Sequence, residues 1–131
     1  MESGMQTVQP LRLLVTDSNH NVRDFLKREL EKEGYVVTSV NNGLALIDCL
    51  RKVGAYHVVV LDPEVFTPYG SSIYEAIMQL DPAVLILLHA YDEFTGNLVS
   101  AKNIHVIKKN ASSISSLKKK IRECLRSGAS C

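Results

Sequence analysis

His57-Val58-Val59-Val60-Leu61-Asp62 is a run of four branched apolar residues closed, without a spacer, by a carboxylate. A strand with one wet face would alternate polar and apolar side chains. An unbroken apolar run predicts a strand covered on both faces, as in a parallel sheet packed between helices. The carboxylate then marks where the strand leaves the covered region. In an open α/β sheet that carboxyl edge is where ligands bind.

Similar runs lie to either side, and they predict strands over 11–15, 35–40, 57–61, 84–88 and 104–107. Helical patterns separate them, and the alternation argues for βαβ units around one doubly wound parallel sheet. The first helix, about 19–33, carries Val22, Phe25, Leu26 and Leu30 at helical spacing, with Gly34 as a C-terminal stop. A second helix is expected over 43–53 and a third over 71–80, closed by Asp81-Pro82. A fourth, near 94–101, is short and contains Thr95-Gly96-Asn97, which are poor helix formers. The last helix carries Ile114, Leu117, Ile121 and Leu125 behind serines that suit an N-cap. Residues 11–126 read as one domain, with tails at 1–10 and 127–131.

Length and composition narrow the function. A chain of 131 residues has room for one core, and 46% hydrophobic with 22% charged residues is the balance of an ordinary globular domain. Apolar runs are far shorter than the roughly 20 residues of a membrane span, and the N-terminus lacks a secretory pattern, so a cytoplasmic location is expected. A net charge of +1 provides no field for nucleic acid or anionic lipid. Cys49, Cys124 and Cys131 are widely spaced with no Cys-x-x-Cys, which argues against a metal–thiolate site. Cys49 and Cys124 fall on apolar helix faces and read as inert thiols.

Four polar residues end four of the strands on one edge: Asp17 after the first, Asp62 after the third, His89 after the fourth and Lys108 after the fifth. Two carboxylates and a lysine on one sheet edge suggest a convergent site. Such a set suits metal-assisted transfer of a phosphoryl group to a carboxylate. Mg²⁺ takes one or two protein carboxylates, aspartate can act as nucleophile, and an ammonium neutralises the transferring group.

On these residues the chain resembles the receiver domain of two-component response regulators over about 11–126. The carriers are Leu13-Leu14-Val15 followed by Asp17-Ser18-Asn19, the stretch from Leu61-Asp62 to Gly70, and Ile107-Lys108. The resemblance implies a flavodoxin-like five-stranded sheet of order 2-1-3-4-5 with helices on both faces. It implies Asp62 as phosphoacceptor and Lys108 as phosphate partner. Asp17, Asp62 and the Glu64 backbone carbonyl become ligands for Mg²⁺. A histidine kinase or phosphotransfer protein would be the donor, and output would pass to another protein.

The member is atypical. Thr16 stands where the first of two adjacent acids is usual, so Asp17, Asp62 and Lys108 sum to −1 and Mg²⁺ binding is expected to be weak. His89 holds the place of the small switch hydroxyl, Phe66 and Lys109 replace prolines, and His105, three before Lys108, holds the place of the switch aromatic. Two readings fit. In one, this is a stand-alone receiver phosphorylated on Asp62. In the other, it is a pseudo-receiver that signals by binding alone. Flavin binding on the same fold is disfavoured, because Thr16-Asp17-Ser18-Asn19-His20 has no glycine to admit a phosphate.

Overall fold

The computed structural model describes residues 9–52, 54–63, 72–91 and 103–126. Among the described residues five strands and four helices follow one another: β1 (Arg12–Thr16), α1 (His20–Glu31), β2 (Val36–Val40), α2 (Gly43–Leu50), β3 (Val58–Leu61), α3 (Ser72–Leu80), β4 (Leu85–Ala90), β5 (Ile104–Lys108) and α4 (Ser113–Arg126). The sheet is parallel throughout, in the order β2-β1-β3-β4-β5. This is the flavodoxin-like order expected from the sequence. The expected helix near 94–101, Phe66 and Glu64 lie outside the described residues.

β3 occupies the centre, and all four of its residues are fully buried. The pleat sends its side chains alternately to two cores. On one face Leu14, Val59, Leu61, Ile86 and Leu88 pack with Leu46 and Leu50 of α2 and Ile73 and Ile77 of α3. On the other, Leu13, Val15, Val58, Val60, Leu85 and Leu87 pack with Leu26 and Leu30 of α1 and Leu117 and Ile121 of α4. Each fully buried Leu or Val side chain contributes about 1.5–3 kcal/mol relative to exposure. An unbroken apolar strand is therefore favourable only because helices cover both faces.

The ends of the helices follow local chemistry. Asn19 caps α1 by accepting from the backbone N–H groups of Asn21 and Val22, and Asn42 caps α2 through Ala45. α1 stops at Glu31, and Gly34 then turns the chain at φ +92°, a conformation that costs other residues a Cβ clash. α2 ends at Leu50, short of the expected residue 53, because the Arg51 N–H closes on the Asp48 carbonyl. Before α4, the Asn110 side chain accepts from Ser112 N–H at 2.8 Å. Cys49 is a free, half-buried thiol, and Cys124 is buried in the α1/α4 core. Among the described residues no helix is long and apolar enough to cross a membrane.

Candidate functional site

The pleat that sorts the two cores also builds the site. Leu13 and Val15, Val58 and Val60, Leu85 and Leu87, and Ile107 all point to the α1/α4 core. Continuing each strand by two residues gives Asp17, Asp62, His89 and Lys109. Side chains two apart share a face. Four apolar rows thus end in four polar groups on the same side of the carboxyl edge.

Asp17 and Asp62 are 1% and 2% exposed, so both carboxylates are buried and need partners. Lys109 provides one for each: its Nζ lies 3.0 Å from Asp17 Oδ2 and 3.3 Å from Asp62 Oδ2. Backbone donors add one hydrogen bond to each carboxylate. Asn19 N–H donates to Asp17 Oδ1 at 2.9 Å and Ser18 N–H to Asp62 Oδ2 at 3.4 Å. The Arg23 guanidinium donates to the Asp17 carbonyl at 2.8 Å, tying the β1–α1 turn to the helix it starts. Asp17 Oδ2 has the ammonium as an ion-pair partner but no aligned hydrogen bond among the described residues.

Burial pushes the Asp17 carboxyl above its usual value, and the nearby Asp62 charge adds to this. The Asn19 N–H and Lys109 oppose it. For Lys109 burial works against the charge, but the two carboxylates outweigh it and hold its pKa above that of an ordinary lysine. The ammonium also sits 5.2 Å from the centre of the Tyr91 ring.

Thr16 is fully buried, and its hydroxyl donates to the Val60 carbonyl at 3.2 Å while accepting from Asp62 N–H at 3.1 Å. The residue that replaces an acid therefore stitches β1 to the point where β3 delivers Asp62. His89 is 3% exposed, and neither ring nitrogen has a hydrogen-bond partner among the described residues. Burial, helped by the Lys109 charge and opposed by Asp62, lowers its pKa to about 4. The ring is neutral at pH 7.

The structure brings Asp17, Asp62 and His89 to one edge as expected, but it replaces Lys108 by Lys109. Lys108 ends β5 opposite Ala90 with an exposed side chain, on the face opposite Ile107. The Lys109 N–H closes the ladder onto the Ala90 carbonyl at 2.7 Å, and its side chain turns over the carboxylates. Pleat parity with Ile107 was the available signal. Counted from Lys109, the third residue back is Val106 and not His105, and Asn110 takes the place after the lysine. Val106 is 37% exposed; His105 is half-buried and opposite Leu87.

Two buried carboxylates, one with an oxygen lacking an aligned hydrogen bond, fit the one or two protein carboxylates that Mg²⁺ takes. No third His, Cys, Asp or Glu joins them among the described residues. With Lys109 the set still sums to −1.

The sheet order is that of the flavodoxin-like fold, with two buried carboxylates at its carboxyl edge. Similar solved structures include a response regulator receiver protein from Sinorhizobium medicae, at 18% identity and TM-score 0.75 over 92% of this chain and 98% of that one. The response regulator TrrA from Thermotoga maritima, solved with Mg²⁺–BeF, is 29% identical with TM-score 0.73, over 86% of this chain and 97% of that one. A chain in the complex of the histidine kinase ThkA with TrrA is 30% identical with TM-score 0.70, over 88% and 98%. No protein-family model and no curated protein sequence matches. The chain belongs to the response regulator receiver domains.

Proposed function

We propose that this is a receiver domain of a phosphorelay in the cytoplasm, phosphorylated on Asp62 and signalling through protein contacts. The observation that carries the reading is the Lys109 ammonium set between the two buried carboxylates at 3.0 and 3.3 Å. An Asp62 oxygen attacks the phosphorus of a phosphohistidine on a histidine kinase or phosphotransfer protein. The P–N bond breaks, its electron pair leaves with the imidazole nitrogen, and that nitrogen takes a proton from solvent. Lys109 neutralises the charge on the transferring oxygens. Asp17, Asp62 and the Glu64 backbone carbonyl would hold Mg²⁺, which when bound neutralises further charge on the phosphoryl group. The lost acid at Thr16 makes that binding weak. His89, neutral and with a ring N–H to give, meets the phosphoryl group where a hydroxyl is usual. TrrA, with its Mg²⁺–BeF complex and its kinase complex, supports both the metal and the partner class.

A second reading, an interaction module that is not phosphorylated, is favoured by the same ion pair. Lys109 spans both carboxylates, so a metal must compete with it. Incubation with Mg²⁺ and acetyl phosphate separates the two. Intact mass should show one added phosphoryl group, absent from Asp62→Asn. No adduct with acetyl phosphate or with a panel of kinases supports the module.

A further inference from the structure

β4 and β5 run parallel in a register that sets Ala90 beside Lys108, and continuing it by one residue sets Tyr91 beside Lys109. Tyr91 follows His89 by two residues and Lys109 follows Ile107 by two, so both side chains leave the carboxyl edge on the α1/α4 face. The Lys109 N–H, donating to the Ala90 carbonyl at 2.7 Å, fixes this pairing. The ammonium stands 5.2 Å from the centre of the Tyr91 ring, inside the roughly 6 Å over which a cation is drawn to an aromatic face.

Packing does not account for the ring. Tyr91 is 54% exposed and belongs to neither hydrophobic core, whereas the Lys109 side chain beside it is 10% exposed. A flexible ammonium brought so far out of water needs partners. Among the described residues it has Asp17, Asp62 and the ring. These differ in what the reaction does to them. Asp17 and Asp62 would take the metal, and Asp62 the phosphoryl group, so both acquire competing partners as the site fills. The ring face competes for neither the metal nor the phosphoryl group and keeps its hold throughout.

We propose that Tyr91 is a positioning residue, whose ring holds the Lys109 ammonium at the carboxyl edge while Asp17 and Asp62 exchange it for other partners. Its part in the reaction rests on the phosphoryl-transfer reading above; its hold on the ammonium does not.

Two measurements on the full chain test this in wild type, Tyr91→Phe and Tyr91→Leu. Both variants should keep the amide spectrum, since the position lies outside the cores, and leucine stays apolar while removing the ring face. Heteronuclear NMR follows the Lys109 ammonium, its signal assigned by its loss in Lys109→Ala. Exchange of its protons with water should match in wild type and Tyr91→Phe and be about tenfold faster in Tyr91→Leu, a factor between the exposed and desolvated limits of a cation–π contact. Phosphorylation by acetyl phosphate with Mg²⁺ should slow by a similar factor in Tyr91→Leu, be kept in Tyr91→Phe, and fall no further when Tyr91→Leu is added to Lys109→Ala. Equal exchange in all three proteins, a loss in Tyr91→Phe as large as in Tyr91→Leu, or an undiminished effect of Tyr91→Leu in Lys109→Ala would each overturn the proposal. A wild type that takes no phosphoryl group, while its ammonium still depends on the ring, would overturn the phosphorelay reading and uphold the hold of Tyr91 on Lys109.

Discussion

Lys109 Nζ stands 3.0 Å from Asp17 Oδ2, an ion pair in which the carboxylate is 1% and the lysine side chain 10% exposed. Removing one member of such a pair leaves a buried charge uncompensated, at a cost of about 3–5 kcal/mol. Lys109→Met should therefore lower the urea unfolding free energy by about 3 kcal/mol, and adding Asp17→Asn should recover part of the loss. Lys108→Met, at an exposed position, should stay within about 0.5 kcal/mol of wild type.

Thr16 makes a separate prediction. Its hydroxyl serves the Asp62 N–H and the Val60 carbonyl at once. Thr16→Val keeps the shape but strands both groups, so calorimetry should show a loss of about 1–3 kcal/mol. Thr16→Asp restores a third carboxylate and takes the site to −2. Its melting temperature should fall in the absence of divalent ions and recover with Mg²⁺, with Mg²⁺ affinity raised on the order of tenfold.

The His89 pKa, lowered to about 4 by burial, makes stability depend on acid. Between the unfolded value near 6.5 and the folded value, the unfolded chain binds more protons, so stability rises with pH there and is lost as pH falls. The full effect is about 3 kcal/mol. His57 and His105 are also lowered by burial and act in the same direction, whereas the raised Asp17 acts in the opposite one. The diagnostic quantity is thus the difference between wild type and His89→Leu. That difference should change across pH 4 to 6.5 and be flat from pH 7 to 8.

Mg²⁺ should perturb the amides of Asp17, Asp62 and their neighbours only in the millimolar range, because two carboxylates already share an ammonium. Lys109→Met, which clears that competitor, should bind Mg²⁺ more tightly than wild type in the same NMR titration.

Much of this fold was readable because the driving force is simple. Val58-Val59-Val60-Leu61 can be buried on both faces only in a covered parallel sheet, and Asp62 at its end falls on the functional edge. Asp17 and His89 follow by the same rule. Lys108 was placed by strand end and by the resemblance of Ile107-Lys108 to a strand-five lysine, whereas Lys109 is the lysine beside the carboxylates. The pleat, counted from Ile107, assigns the inward position to Lys109, and adjacent lysines differ in nothing else. Thr16 was legible as a missing acid but not as a stitch between β1 and β3, since a hydroxyl reveals its partners only when the strands are in register. The early end of α2 depended on one backbone closure at Arg51 that no side-chain pattern announces.

The most direct test of the account compares phosphorylation rates of wild type, Lys108→Ala and Lys109→Ala with acetyl phosphate and Mg²⁺, read by intact mass. The account predicts a wild-type rate for Lys108→Ala and a loss of about a hundredfold for folded Lys109→Ala, the scale of removing one charge-stabilising donor. A wild-type rate in Lys109→Ala, or a loss confined to Lys108→Ala, would contradict it.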